Sequence, residues 1–167
     1  MTTNPSAKTP WNPSKKAIKR VLNAIPAPET CPFCSSPVAI KSHDELYGRT
    51  YGEWPWAYVC QKKACGAYVG MHPFTNIPLG TLADAATRDA RKKAKDLFQR
   101  LWLNGGMMNR TQAYEWLALK LNIPYAACHF GWFDVAACTK ARECLEKELG
   151  LPPPAPPKPY KELVKEF

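Results

Sequence analysis

No stretch of this sequence approaches the ~18 consecutive apolar residues of a membrane-spanning helix, which excludes a helical membrane protein. The first residues, Met1 to Lys8, are polar and hold no apolar h-region, so no secretory signal is expected. Without such a signal, seven cysteines imply a reducing compartment, where paired cysteines hold metal more often than a disulfide. A cytoplasmic location follows as the expectation. HExxH, a nucleophile elbow and a paired-carboxylate cluster are all missing, and no internal repeat is found. Acidic residues are scarce: 14 Asp and Glu against 23 Lys and Arg give a net charge of +9. A positive field of that size favours polyanions, chiefly nucleic acid, although a basic protein with no such role has the same composition. What is present suffices for a core. The hydrophobic fraction is 46% and there are six Trp, which excludes a wholly disordered chain. A length of 167 residues allows one domain, or a small metal module joined to a helical one.

Four of the cysteines form two pairs, Cys31-Pro32-Phe33-Cys34 and Cys60-Gln61-Lys62-Lys63-Ala64-Cys65. Each pair places two thiolates on one tight turn, and two such turns facing each other make a tetrahedral four-thiolate zinc site with Zn–S bonds of about 2.3 Å. The 25 residues between Cys34 and Cys60 exceed the usual ribbon interval of about 15 to 20. One structural Zn2+ on Cys31, Cys34, Cys60 and Cys65 is therefore expected, in a zinc ribbon with a long hairpin insertion. His72, shortly after Cys65, is an alternative to one thiolate, and His43 a weaker one. An ordinary loop histidine is the preferred reading of both.

Residues 1–14 hold three prolines and read as a flexible arm. From Lys15 to Ile25 the apolar residues Ile18, Val21, Leu22 and Ile25 recur at helical spacing, opposite a basic face of Lys15, Lys16, Lys19 and Arg20, with Ser14 as N-cap. Pro37 to Lys41, Trp56 to Cys60 and Gly66 to Gly70 read as three short strands, with a hairpin and its loop over 43–55. The clearest helix is expected over 82–103, its charged face carrying Arg88, Arg91, Lys92, Lys93, Lys95 and Arg100. Helices over about 111–121 and 132–150 follow, the last with Val135, Ala136, Cys138, Ala141, Leu145 and Leu149 inward. Pro152 to Pro159 reads as a polyproline stalk leading to a charged tail, Tyr160 to Phe167. The organisation expected is thus a basic arm and short helix (1–28), a zinc ribbon (29–80), a helical unit (81–150) and a Pro-rich stalk with its tail (151–167). The fold class is α+β: a three-stranded zinc-ribbon module packed on a three-helix unit, with an extra N-terminal basic helix.

Several motifs are not explained by composition. They are the run from Cys65 through Gly66 to His72, the run Pro78-Leu79-Gly80-Thr81-Leu82-Ala83-Asp84, the pairs Arg88/Arg91 and Phe98/Trp102, the segment Ala113 to Ala118, and His129-Phe130-Gly131-Trp132-Phe133-Asp134. In this combination the chain resembles an uncharacterised zinc-finger-containing family met in phages and prophages, over roughly Thr30 to Leu149. The resemblance implies zinc at the cysteine pairs and no established activity. Two departures stand out. The second pair has four intervening residues where two are more usual, which loosens the expected metal geometry. Lys95 stands where a histidine would be expected, which weighs against any site needing a histidine on that helix.

Three functional classes follow. Basic residues Lys15, Lys16, Lys19, Arg20, Arg88, Arg91, Lys92, Lys93 and Lys95, with Tyr47, Tyr51, Trp54 and Trp56 on the hairpin, suit nucleic-acid binding by phosphate contact and base stacking. A protein-interaction module that offers the tail to a partner complex is the alternative. A zinc-associated nuclease built from His72, Asp84, Arg88, His129 and Asp134 is the third, disfavoured because a site filled by four cysteines has no open coordination position. Cys128, His129, Cys138 and Cys144 suggest a second metal site, but Cys138 and Cys144 fall on different helix faces and read better as small buried side chains.

Overall fold

Strands β1 (Val38–Ser42), β2 (Trp56–Cys60) and β3 (Tyr68–Gly70) pair antiparallel in the order β1-β2-β3. This computed structural model of the chain describes residues 7–152. The register sets Val38 opposite Cys60 and Tyr58 opposite Val69. Because side chains alternate along a strand, Val38, Ile40, Trp56, Tyr58, Cys60 and Val69 share one face. That face packs on Cys31, Trp54, Ala67, Met71 and Leu82 to form a first core. The expected strands are all present, each within two residues of its predicted bounds.

The insertion is not a plain hairpin loop. It holds a helix, α1 in the metal module, spanning His43–Tyr47. Ser42 caps it: the Ser42 hydroxyl accepts from the Glu45 amide, and the Glu45 carboxylate accepts from the Ser42 amide. Five residues are too few for a hydrophobic period, so the Ser-x-x-Glu capping box was its one sequence signal. After the helix, Trp54 turns inward and its indole N–H donates to the Thr75 carbonyl at 2.9 Å.

Ahead of the sheet, a further helix (αN) covers Lys15–Arg20, capped by Ser14. It was expected to reach Ile25. It stops five residues short because it buries no residue, and a short helix without a buried face has little to propagate it; Leu22 is left 84% exposed. The preceding arm, expected to be flexible, is anchored over its described part. Pro10 is buried, Trp11 sits edge-on to Trp56 at 5.2 Å, and the Ser14 amide donates to Phe74 O.

Three longer helices follow: α2 (Ala85–Gln99), α3 (Arg110–Leu121) and α4 (Val135–Glu148). Short 3-10 turns at Tyr125–Ala127 and Phe130–Trp132 join the last two. The first and last start later and end earlier than their apolar patterns suggested, because the caps decide, whereas α3 matches its expected bounds to within one residue. Asp84, Asn109 and Asp134 accept amide hydrogen bonds at the three N-termini. Leu82 and Ala83, expected inside the first of these helices, instead precede it and are buried, Leu82 in the first core and Ala83 bridged to Tyr68 of β3. Val135 and Ala136, expected inward, are exposed in the first turn of α4; the buried stripe is Cys138, Ala141 and Leu145. A second core forms around fully enclosed Phe98, Leu101, Leu117 and Leu145.

The two cores meet at a backbone joint. The Thr81 amide donates to the Gly131 carbonyl at 2.8 Å, and a Cβ added at Gly80 would stand 2.1 Å from that same oxygen. Arg91 on α2 closes the joint: Nε donates to Phe133 O at 2.8 Å, Nη1 to Thr81 O at 3.0 Å, and Nη2 to the Thr81 hydroxyl at 2.6 Å. The segments Pro78–Asp84 and His129–Asp134 are therefore two halves of one structural contact. The polyproline stalk from Pro153 onward, the charged tail 160–167 and residues 1–6 lie outside the described residues.

Candidate metal centre

The two cysteine turns are built alike. In the first, the Cys31 amide donates to Ser36 O and the Ser35 amide to Cys31 O; in the second, the Cys60 amide donates to Ala67 O and the Cys65 amide to Lys62 O. The residue after each second cysteine takes a left-handed backbone, Ser35 at φ 61° and Gly66 at φ 67°. Glycine suits that position, and the turn re-aims the chain so that both sulfurs of a pair face one point. The two additional residues of the second turn bulge outward and leave Lys62 and Lys63 exposed. The longer spacing therefore does not loosen the site.

The sulfurs of Cys31, Cys34, Cys60 and Cys65 all lie within 4.8 Å of one another. Cys31 and Cys65 approach to 3.7 Å, Cys34 and Cys60 to 3.4 Å. Both distances are far beyond the ~2.05 Å of a disulfide. They are close to the ~3.8 Å edge of a tetrahedron with 2.3 Å Zn–S bonds. Cys31 and Cys60 are buried and their partners half-buried. Donor type, number and spacing fit one structural zinc, with the coordination sphere closed by protein. His72 is not in this cluster; its amide donates to Ile77 O, and burial lowers its ring pKa. His43 is also elsewhere, its Nδ1 accepting from the Tyr51 amide.

The thiols differ strongly before metal arrives. Hydrogen bonds from the Ser36 side chain and amide bring Cys34 down to about 6. Burial pushes Cys60 up to about 12, and it also raises Cys65. Metal uptake must therefore displace protons from the high members of the set.

Among the described residues no second gathering of metal-ligating groups is found. Cys128 and Cys138 are enclosed in the helical core, and burial raises both thiols, Cys128 to about 11. Such thiols are inert packing groups.

The acids grouped for hydrolysis have structural work. Asp84 Oδ1 accepts from the Thr87 amide at 2.9 Å and its hydroxyl at 2.6 Å; Asp134 Oδ1 accepts from the Ala137 amide at 2.7 Å. Both are N-caps. Asp84→Ala should cost about 1 kcal/mol of stability, and Asp84→Asn little at neutral pH. The Thr87 hydrogen bonds hold the Asp84 carboxyl below its usual range. Its contribution is thus full above the unfolded value near 3.9 and lost as pH falls through the lower folded value. Urea midpoints of the wild type and Asp84→Asn at neutral and acid pH check this: the gap must change with acidity, and a constant gap rejects it.

Of the basic residues expected at a nucleic-acid surface, Lys15, Lys16, Lys19, Arg20, Lys92, Lys93 and Lys95 are exposed. Arg88 and Arg91 are not available in the same way. Arg88 Nη1 donates to Gly66 O and Ala83 O while its guanidinium lies 3.8 Å over the Tyr68 ring, and Arg91 closes the backbone joint. Sequence spacing placed both on the charged face of a helix; the carbonyls they reach come from segments far along the chain. Of the hairpin aromatics, Tyr47 and Tyr51 stay exposed, whereas Trp54 is buried and Trp56 is covered by Trp11. No helix among the described residues is long and apolar enough to cross a membrane.

No curated protein and no solved structure is detectably similar to the chain. One family model matches, over residues 27–148, which spans both cysteine turns, the backbone joint and all three long helices. The chain thus belongs to the family described as a zinc-finger-containing domain, DUF3268.

Proposed function

We propose that this is a zinc-stabilised nucleic-acid-binding accessory protein with no catalysis of its own. The observation that carries the reading is αN. Lys15, Lys16, Lys19 and Arg20 are all exposed and at 3.6 residues per turn fall within an arc of about 140°, with half-buried Ala17 and Ile18 on the other side. The helix holds no acidic residue, and none of its cations makes an ion pair among the described residues. Lys92 and Lys95 on α2 add to the same excess, while Lys93 is paired with Asp89 at 2.7 Å. Such a face neutralises phosphates and releases counterions. The closed sulfur set supports a binding role over hydrolysis, since it leaves zinc no position for water.

The test is the affinity of the zinc-loaded chain for DNA and RNA across a salt series. Replacing Lys15, Lys16, Lys19 and Arg20 together by Gln should lower the duplex-DNA salt slope by about 0.9 for each phosphate that is no longer neutralised. An unchanged slope and affinity would sink the assignment. A phage or prophage origin rests on the motif resemblance alone.

A protein-interaction module is the second reading. It is favoured by an apolar cleft of about 380 Å³ beside the first cysteine turn, lined by Ile25, Pro26, Pro28, Pro32 and Leu82, with Phe33 exposed next to it in sequence. The tail Tyr160 to Phe167, expected to serve a partner, lies outside the described residues.

A further inference from the structure

The insertion helix α1 and the loop after it build an aromatic platform that the metal site does not use. Tyr47 stands edge-on to Tyr51 at 5.4 Å and to Tyr68 at 5.5 Å. The Arg49 guanidinium lies 4.4 Å over the Tyr51 ring. Tyr47 remains 40% and Tyr51 47% exposed, although burying an aromatic ring is normally among the larger gains of folding. The platform is held from below. Arg88 stacks on Tyr68 and is fixed to the carbonyls of Gly66 and Ala83, which ties it to the second zinc turn. The Tyr51 amide donates to His43 Nδ1 at 3.3 Å, which pins the loop. Rings held on a rigid base lose little freedom when a flat partner arrives.

We propose that this platform binds single-stranded nucleic acid, with unpaired bases stacking on Tyr51 and Tyr47. The inference rests on the nucleic-acid reading above and narrows it. Planar side chains with a stacked guanidinium recognise the faces of bases, whatever the sequence. A duplex hides those faces. Charge along the insertion that carries the platform is mixed: Arg49 is exposed, but so are Asp44, Glu45 and Glu53. Phosphate attraction here is therefore weaker than at αN, and stacking supplies the selectivity.

The experiment is fluorescence anisotropy with the zinc-loaded full chain. The probes are an oligothymidylate of about 16 nucleotides and its duplex with oligoadenylate. The expected result is tighter binding to the single strand. Tyr51→Ala should then weaken single-strand binding about tenfold and leave duplex binding unchanged. Tyr51→Phe should retain the preference, and Arg49→Gln should lower it. Tyr51 is half-exposed, so the variants are expected to fold, and retained zinc content verifies it. Equal losses on both probes, or no loss from Tyr51→Ala, overturns the platform. If only the αN substitutions weaken binding, the parent reading stands and this inference falls. If neither probe binds at low salt, both fall.

Discussion

Removing zinc with a strong chelator at neutral pH should unfold the sheet and leave the long helices folded. The reason is the division of the interior. The sheet side has a small core whose members include Cys31 and Cys60 themselves, so its stability depends on the metal. Structural zinc supplies on the order of 10 kcal/mol of apparent folding free energy, comparable with the whole stability of a small domain. The helical side encloses Phe98, Leu101, Leu117 and Leu145 without any metal ligand. Near-ultraviolet dichroism should lose the part contributed by Trp54, Trp56 and Tyr58 on chelation, keep the part from Trp102, Tyr114 and Trp116 on the helical core, and most far-ultraviolet helical signal should persist. Simultaneous loss of both would show that the helices depend on zinc and would reject the expectation.

The same site fixes the pH dependence. With Cys60 raised to about 12 and Cys65 raised as well, both are protonated in the metal-free site at neutral pH, and zinc must displace at least those two protons. Affinity should therefore fall at least about 100-fold for each unit of acidification near neutrality. Cys34, already brought to about 6, adds to the dependence only at lower pH. Competition against a chromophoric chelator measures the slope, and a slope near one proton would contradict this assignment.

Gly80→Ala is expected to damage the joint between the two cores. The added methyl would stand 2.1 Å from Gly131 O and 2.7 Å from its carbonyl carbon. Both are backbone atoms, so no side chain can rotate away. The clash should cost about 3 kcal/mol or more, the upper end of overpacking effects. Gly131→Ala meets its nearest atom, Leu79 O, at 3.0 Å and should cost only about 1 kcal/mol. Arg91→Gln should fall between them, because it strips hydrogen bonds made by a charged group to the carbonyls of Thr81 and Phe133, and such bonds contribute about 1.5–3 kcal/mol. Urea midpoints of the three variants test the order. A tolerated Gly80→Ala would mean that the joint can open without loss.

The metal ligands were legible from the chain alone because the cysteine pairs are local: a turn of a few residues fixes both sulfurs. The positions of the three strands around them were equally local, set by alternation in Trp56 to Cys60 and by the short apolar runs on either side, whereas their order came from the structure. The helix ends were less legible, since apolar periodicity runs past the caps; Asp84 and Asp134 looked like candidate acids because a carboxylate reads the same in a cap and in an active site. The extent of αN was misjudged for the converse reason. Ile18, Val21, Leu22 and Ile25 have helical spacing, but no partner element covers Leu22.

By itself the sequence determined the zinc ligands, the three-stranded sheet and the excess of positive charge, each a consequence of short-range spacing or of composition. Tertiary structure decided which of the cations face water. Lys15 and Lys92 look no different in sequence from Arg88 and Arg91, yet only the latter meet carbonyls brought from Gly66, Thr81 and Phe133. It also decided that two glycines 51 residues apart touch backbone to backbone. Neither outcome is encoded in a local window, because which backbone carbonyls a side chain can reach is settled only when distant segments come together.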